Sequence, residues 1–208
     1  MNTPYSNNFD KAQAGWDHNP KPIRIVKSRR LRGDPIATHV NLDSLIPRED
    51  FQVLVTGEKV PKTPSIKIND LEPDAFFFGA LRKPDFQRET AEWDAKRVVG
   101  IIRSFIKDEL IPAIILWQNQ ELLFIIDGSH RLSALISWVH DDYGDGPRSQ
   151  EFFNYTIPEE QTKVAQRTRQ LVEKEFGSYK SHKEAISNPS AYGPDIVARA
   201  RRFGSRRV

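Results

Sequence analysis

Residues 122–139 turn from one kind of structure to another within a very short span. Leu122-Leu123-Phe124-Ile125-Ile126 is a short apolar run that reads as a buried strand. Leu132, Leu135, Ile136 and Val139 are spaced as one face of a helix. A strand feeding directly into an apolar helix commits the chain to a mixed core of sheet and helix. Between them stands Asp127-Gly128-Ser129-His130-Arg131. Glycine lets another group approach the backbone, the first helical N–H groups point outward unpaired, and Arg131 adds a planar cation beside them. Such a junction reads as a phosphate site for a nucleotide or a nucleic acid.

Each residue of the junction has two readings. Asp127 can hold a magnesium-bound water or cap the helix, and capping is the commoner job. Ser129 offers its hydroxyl to a phosphate or serves as the cap itself. His130 is an acid, a base or a phosphate donor, or else a packed histidine bonded to a carbonyl. Arg131 sits in the first turn against the helix dipole, so it needs an anion nearby, either a bound phosphate or Asp127.

Residues 1–40 are a basic, extended arm rich in proline, and 41–50 allow one helical turn with Leu42, Leu45 and Ile46 on a shared face. Residues 51–55 suit a strand and 57–64 a loop; 65–68 alternate, and 76–81 form a second apolar run. A helix is predicted from Thr90, with Thr90 as its cap and Glu92 and Asp94 at its positive end. Val98, Ile101, Ile102, Phe105 and Ile106 form its inner face, and Ile111-Pro112 ends it. Residues 113–117 and 122–126 make a hairpin across the turn 118–120. The last predicted helix covers 158–176, with Val164, Thr168, Leu171 and Val172 inward and Gly177 stopping it.

Charge and composition narrow the function. Residues 21–33 hold six cations and no anion, and 193–208 hold five arginines and one aspartate, within a net charge of only +3. Two basic segments therefore flank an acidic body, a pattern that suits nucleic-acid contact at the ends or plain solvated tails. Arg29, Arg30 and Arg32 in the first segment, and Arg199, Arg201 and Arg202 in the second, are the candidate DNA contacts. Phe203, Arg206 and Arg207 accompany the latter. Cysteine is absent, which removes disulfides, thiolate metal sites and cysteine nucleophiles and makes the cytoplasm the default compartment. No apolar run approaches the roughly 18–20 residues of a membrane span, and the first eight residues lack a secretory pattern.

A second cluster, Arg82-Lys83-Pro84-Asp85-Phe86-Gln87-Arg88, precedes the predicted helix. As a cationic loop it can set Gln87 and Arg88 on a phosphate or a base edge, or it is a solvated loop that Phe86 pins to the core. His140, Asp141, Asp142 and Asp145 gather oxygen and nitrogen ligands. Their spacing fits no calcium loop, and the segment reads as a solvated turn, with support of a nucleotide as the lesser option. No metal ligand set is assigned.

Two motifs in order carry a family resemblance. Pro84-Asp85-Phe86-Gln87-Arg88 with Trp93, followed by Asp127-Gly128-Ser129-His130-Arg131-Leu132-Ser133-Ala134-Leu135, resembles the N-terminal domain of GmrSD-type restriction proteins, in the ParB/sulfiredoxin-like superfamily. Members share a YQR or FQR loop, a helix, a strand pair and a DGQQR or DGQHR sequence that opens a helix. The likeness extends over about residues 65–180, including 138–146 and 167–179. It implies an α+β fold, a ParB/sulfiredoxin-like small mixed sheet packed with helices over residues 41–185. Outside it lie the arm 1–40 and an Arg-rich helical tail at 186–208 that could begin a truncated region.

The resemblance also implies function. It suggests a domain that binds a nucleoside triphosphate with Mg2+, probes or restricts DNA, and works in phage defence. Asp127 and His130 would then be catalytic, Gly128, Ser129, Arg131, Gln87 and Arg88 would hold the nucleotide, and hydrolysis would drive or gate the work. Ser129 departs from the family's glutamine and from the reactive cysteine of sulfiredoxins, so sulfinic-acid repair is excluded. No nuclease motif follows, which leaves cleavage to a separate nuclease or a missing C-terminal domain. The alternatives are a non-catalytic DNA-binding module of the same fold and a ParB-like small-molecule kinase.

Overall fold

The computed structural model describes residues 39–50, 66–87 and 93–204, the last two of them by their backbone alone. The expected strand at 51–55, the loop at 57–64, Thr90, Glu92 and the arm before residue 39 lie outside the described residues.

A four-stranded sheet carries the site. β2 (Arg48–Glu49), β3 (Leu81–Pro84), β6 (Leu122–Asp127) and β5 (Ile115–Asn119) lie side by side in that order. β2 and β3 are parallel, β3 and β6 are parallel, and β5 and β6 form the antiparallel hairpin that the sequence predicts. The hairpin turn comes later than expected. Gln118 and Asn119 pair with Leu123 and Leu122, and Gln120, at φ 54°, makes the reversal. A separate two-stranded ladder joins β1 (His39–Val40) to β4 (Trp93–Asp94).

Helices cover the sheet. α1 (Phe76–Ala80) converts the apolar run at 76–81 into one helical turn that passes straight into β3. α2 (Ala95–Lys107) buries Val98, Val99, Ile102, Phe105 and Ile106 on one face. It starts after Thr90, because the carboxylate of Asp94 accepts the backbone N–H of Arg97 at 2.8 Å. It also ends before Ile111-Pro112, at Asp108, which takes the left-handed conformation with φ 64°.

α3 (Ser129–His140) is the central helix, with every residue from Leu132 to Trp138 buried. A helix enclosed all round must be covered from several sides. α2 and α6 (Tyr179–Ser187) do so, and α5 (Glu159–Glu175) and α7 (Pro194–Gly204) pack on α2. α5 turns Gln161, Val164, Ala165, Thr168 and Val172 inward; Leu171, expected inside, is 38% exposed on its flank. Gly177, at φ 86°, closes that helix region. α7 lays Val197 and Ala200 on the body of the domain. A boundary drawn at residue 185 therefore falls inside α6. No helix among the described residues is long and apolar enough to cross a membrane.

Residues 141–146 correct the sequence reading. They are not a solvated turn: Asp142 and Tyr143 are fully buried, and α4 (Pro147–Phe152) follows directly. Asp142 accepts the N–H groups of Gly144 and Gly146 at 3.0 and 2.9 Å, the Ser149 hydroxyl at 2.7 Å and the Ser149 N–H at 3.3 Å. Arg169 of α5 donates to both carboxylate oxygens of Asp145 and to the side chain and carbonyl of Asp141, all within 2.7–2.9 Å. Sequence spacing gave no sign of these partners, because Ser149 and Arg169 belong to two later helices.

Candidate functional site

The junction between β6 and α3 lies at the edge of a cleft of about 450 Å3. Gln87, Trp93, Ile101, Pro112 and Ile126 line it together with all five residues 127–131. The fold thus joins the end of β3, the start of α2 and the start of α3 at one place. Arg88 lies outside the described residues, as do Arg29, Arg30 and Arg32.

Gly128 makes the turn. Its φ of 96° is a conformation that L side chains rarely adopt, and a Cβ there would stand 3.0 Å from Ile114 and 3.1 Å from the Arg131 guanidinium. No side chain caps the helix that follows. Asp127 does not fold back as a cap; it pairs with Arg131 instead, at 2.7 Å. Arg131 also donates to the carbonyl of Ala113 at 3.2 Å, and its Nε is buried with no hydrogen-bond partner. Asp127 remains 63% exposed, whereas Ser129 is buried at the helix start.

The opposite wall is aromatic. Trp93 and His130 stack with ring centres 5.4 Å apart and planes inclined by 20°. Gln87 crosses to the end of β6, where its side-chain N–H donates to the carbonyls of Ile125 and Ile126, the latter at 3.0 Å. These two acceptors fix the amide orientation and leave Gln87 Oε1 buried without a partner. A buried acceptor and a buried donor without partners, on two residues of one cleft, are uncommon in a folded protein.

Phe86 is 64% exposed and does not pin the loop. Lys83, expected on that cationic loop, is instead a fully buried residue of β3. Its ammonium donates to the side chain and the carbonyl of Asp43, at 2.9 and 3.1 Å. Burial pushes the Lys83 pKa down, and the Asp43 charge opposes that fall. Arg48 closes on the same Asp43 carboxylate at 3.1–3.2 Å and donates to the Gln87 carbonyl at 2.6 Å. Sequence reasoning missed this group. The available signal was Leu81 and Lys83 at a spacing of two, which places both on one face of a strand.

Arg199, Arg201 and Arg202 are exposed on α7. Arg199 and Arg202 line a different groove, with Lys107 and Glu175, so the structure does not bring them to the cleft.

The fold and cleft define an α+β domain in which a strand ends at an uncapped helix beside a partly unsatisfied guanidinium. The GmrSD restriction endonuclease N-terminal domain family matches residues 68–198, and the chain belongs to that family. Its class of work is therefore restriction and defence. No curated protein and no solved structure matches the chain.

Proposed function

We propose that the chain binds a nucleoside triphosphate in this cleft and hydrolyses it as the DNA-directed component of a restriction or defence system. The observation that carries the reading is Arg131. Its guanidinium stands at the start of a helix that no side chain caps, and its buried Nε has no partner. A phosphate there would meet a guanidinium and the partial positive charge of the helix start at once.

The cleft volume falls within the ordinary range for a small ligand. Trp93, Ile101, Pro112 and Ile126 give it an apolar side suited to a flat base. Among the described residues no group of three or more acidic or histidine side chains could hold a metal. That composition still fits Mg2+, which is commonly bound through one or two carboxylates plus the phosphates of its nucleotide. Asp127 is the carboxylate that would hold it, and the ion would neutralise phosphate charge. Asp127 and His130 are the candidate groups for orienting or deprotonating an attacking water. Arg199, Arg201 and Arg202 on α7 would contact DNA phosphates.

Titration of the four ribonucleoside triphosphates with Mg2+, together with phosphate-release assays, tests this reading on the wild type and Arg131→Ala. Binding and turnover by the wild type, both lost in the variant, are expected. A wild type that binds none of the four ends the catalytic reading. DNA binding that neither nucleotide nor Asp127→Ala alters would favour the non-catalytic module.

A further inference from the structure

Asp43, Lys83 and Arg48 form a charged group beneath the loop that carries Gln87. Asp43 and Arg48 precede the segment matched by the family. Asp43 is almost fully buried and Lys83 wholly so. A hydrophobic contact could hold β2 to β3 with no desolvation penalty, so a buried ion pair is weak evidence for stability alone. Its geometry suggests another use. Arg48 is the point where the group leaves the core: Nε and Nη2 grip the Asp43 carboxylate, and Nη1 donates to the main-chain carbonyl of Gln87 at 2.6 Å.

From Gln87 the connection continues. Its backbone N–H is tied to the Pro84 carbonyl at 3.1 Å, and its side chain reaches Ile125 and Ile126, the two residues before Asp127. A lysine at position 48 could keep the charge. It could not grip a carboxylate with a planar fork and point a further N–H at a carbonyl, because an ammonium is a point charge on a flexible stem.

We propose that Arg48 is a positioning residue for the cleft. Anchored by Asp43, which Lys83 holds in turn, it fixes the Gln87 main chain, and Gln87 holds the end of β6 at the start of α3. The consequence for ligand binding rests on the nucleotide reading; the positioning itself does not.

The test uses the full chain with Arg48→Lys and Arg48→Met. Hydrogen exchange is followed at Gln87 and through residues 122–131, with α5 as the internal reference, beside melting temperature and Mg-ATP affinity. Faster exchange in both segments, unchanged exchange in α5 and an ATP affinity weakened about tenfold are expected, since small misplacements of a binding group carry losses of this order or larger. Unchanged exchange in the two segments overturns the proposal, whatever the nucleotide result. So does an equal rise in α5, which would mark general loosening. If the wild type binds no ATP while exchange rises only in the two segments, the nucleotide reading fails and the positioning role stands. If the wild type binds ATP and both variants bind it equally well, Arg48 does not position the cleft.

Discussion

α3 has an Asp-Gly-rich turn and an arginine–aspartate pair at each end, and the two ends are built in opposite ways. At its C-terminal end, Asp142 accepts four hydrogen bonds and Arg169 is gripped by Asp141 and Asp145. At its N-terminal end, Asp127 and Arg131 share one contact, no side chain caps the helix, and the Arg131 Nε is unpartnered. A closed network of buried polar groups specifies and rigidifies a structure, whereas an open one costs stability until something fills it. The same residue types thus serve architecture at one end and leave room for a ligand at the other.

The sharpest way to break this comparison is with the two glycines. A Cβ on Gly144 would stand 1.7 Å from the Gln161 amide and 2.6 Å from the Asn41 carbonyl, at a φ of 97°. Gly144→Ala is expected to cost roughly 4 kcal/mol or more, the range of severe core disruption, and to leave little folded protein in a urea melt. Gly128→Ala has more room, with its nearest neighbour at 3.0 Å. It is expected to cost about 1–2 kcal/mol from backbone strain while removing phosphate binding, because the new methyl presses on Arg131. Equal losses of stability in the two variants would end the distinction.

The aspartates come next. Asp142→Ala leaves the N–H groups of Gly144 and Gly146 buried without their acceptor and should lose about 3 kcal/mol in denaturant unfolding. Asp127→Ala removes one ion pair whose carboxylate is largely exposed and should lose less than about 1 kcal/mol. The arginines should repeat this order more weakly. Arg169→Ala lowers the melting temperature, whereas Arg131→Ala leaves it nearly unchanged and abolishes triphosphate binding by calorimetry.

The smallest effect is the pH dependence of the closed region. His140 lies at the C-terminal end of α3, against the Leu71 carbonyl at 2.8 Å and the Phe78 ring, and His182 packs on Trp138. Burial pushes both imidazole pKa values below the ordinary 6.5, the largest cause in each case. The unfolded chain then binds protons that the folded chain refuses. Stability is therefore expected to fall as pH drops from about 6.5 toward the folded-state values. The urea midpoint at pH 7.5 and pH 5.5 measures it, and His140→Gln should flatten the slope.

Much of this molecule was legible along the chain. The helix-spaced residues of α2, the 122–126 strand and the helix after Arg131 follow from local periodicity, because one buried face imposes its repeat on the residues that form it. The two ordered motifs around Gln87 and Asp127 carried the family resemblance, which the domain match over residues 68–198 bears out. Boundaries were less legible: Asp94 rather than Thr90 caps α2, since a cap depends on which carboxylate meets the first free N–H. The turn at 141–146 was misread because polar residues in a loop look alike whether water or protein satisfies them. Lys83 differs from the loop expectation because it stands in β3, on the same strand face as Leu81, and its charge is met by Asp43.

The sequence by itself determined that strand 122–126 runs through a glycine into a buried helix bearing an arginine in its first turn. Local steric and periodic rules suffice for that, and they act over a few residues. Only the tertiary structure decided which polar groups found partners. Asp142 met Ser149 and Arg169 met Asp145, while Arg48 met the Gln87 carbonyl, Gln87 met the end of β6 and the Arg131 Nε was left without an acceptor. Hydrogen-bond satisfaction is settled by groups that pack together from distant parts of the chain, and no local pattern records which of them will meet.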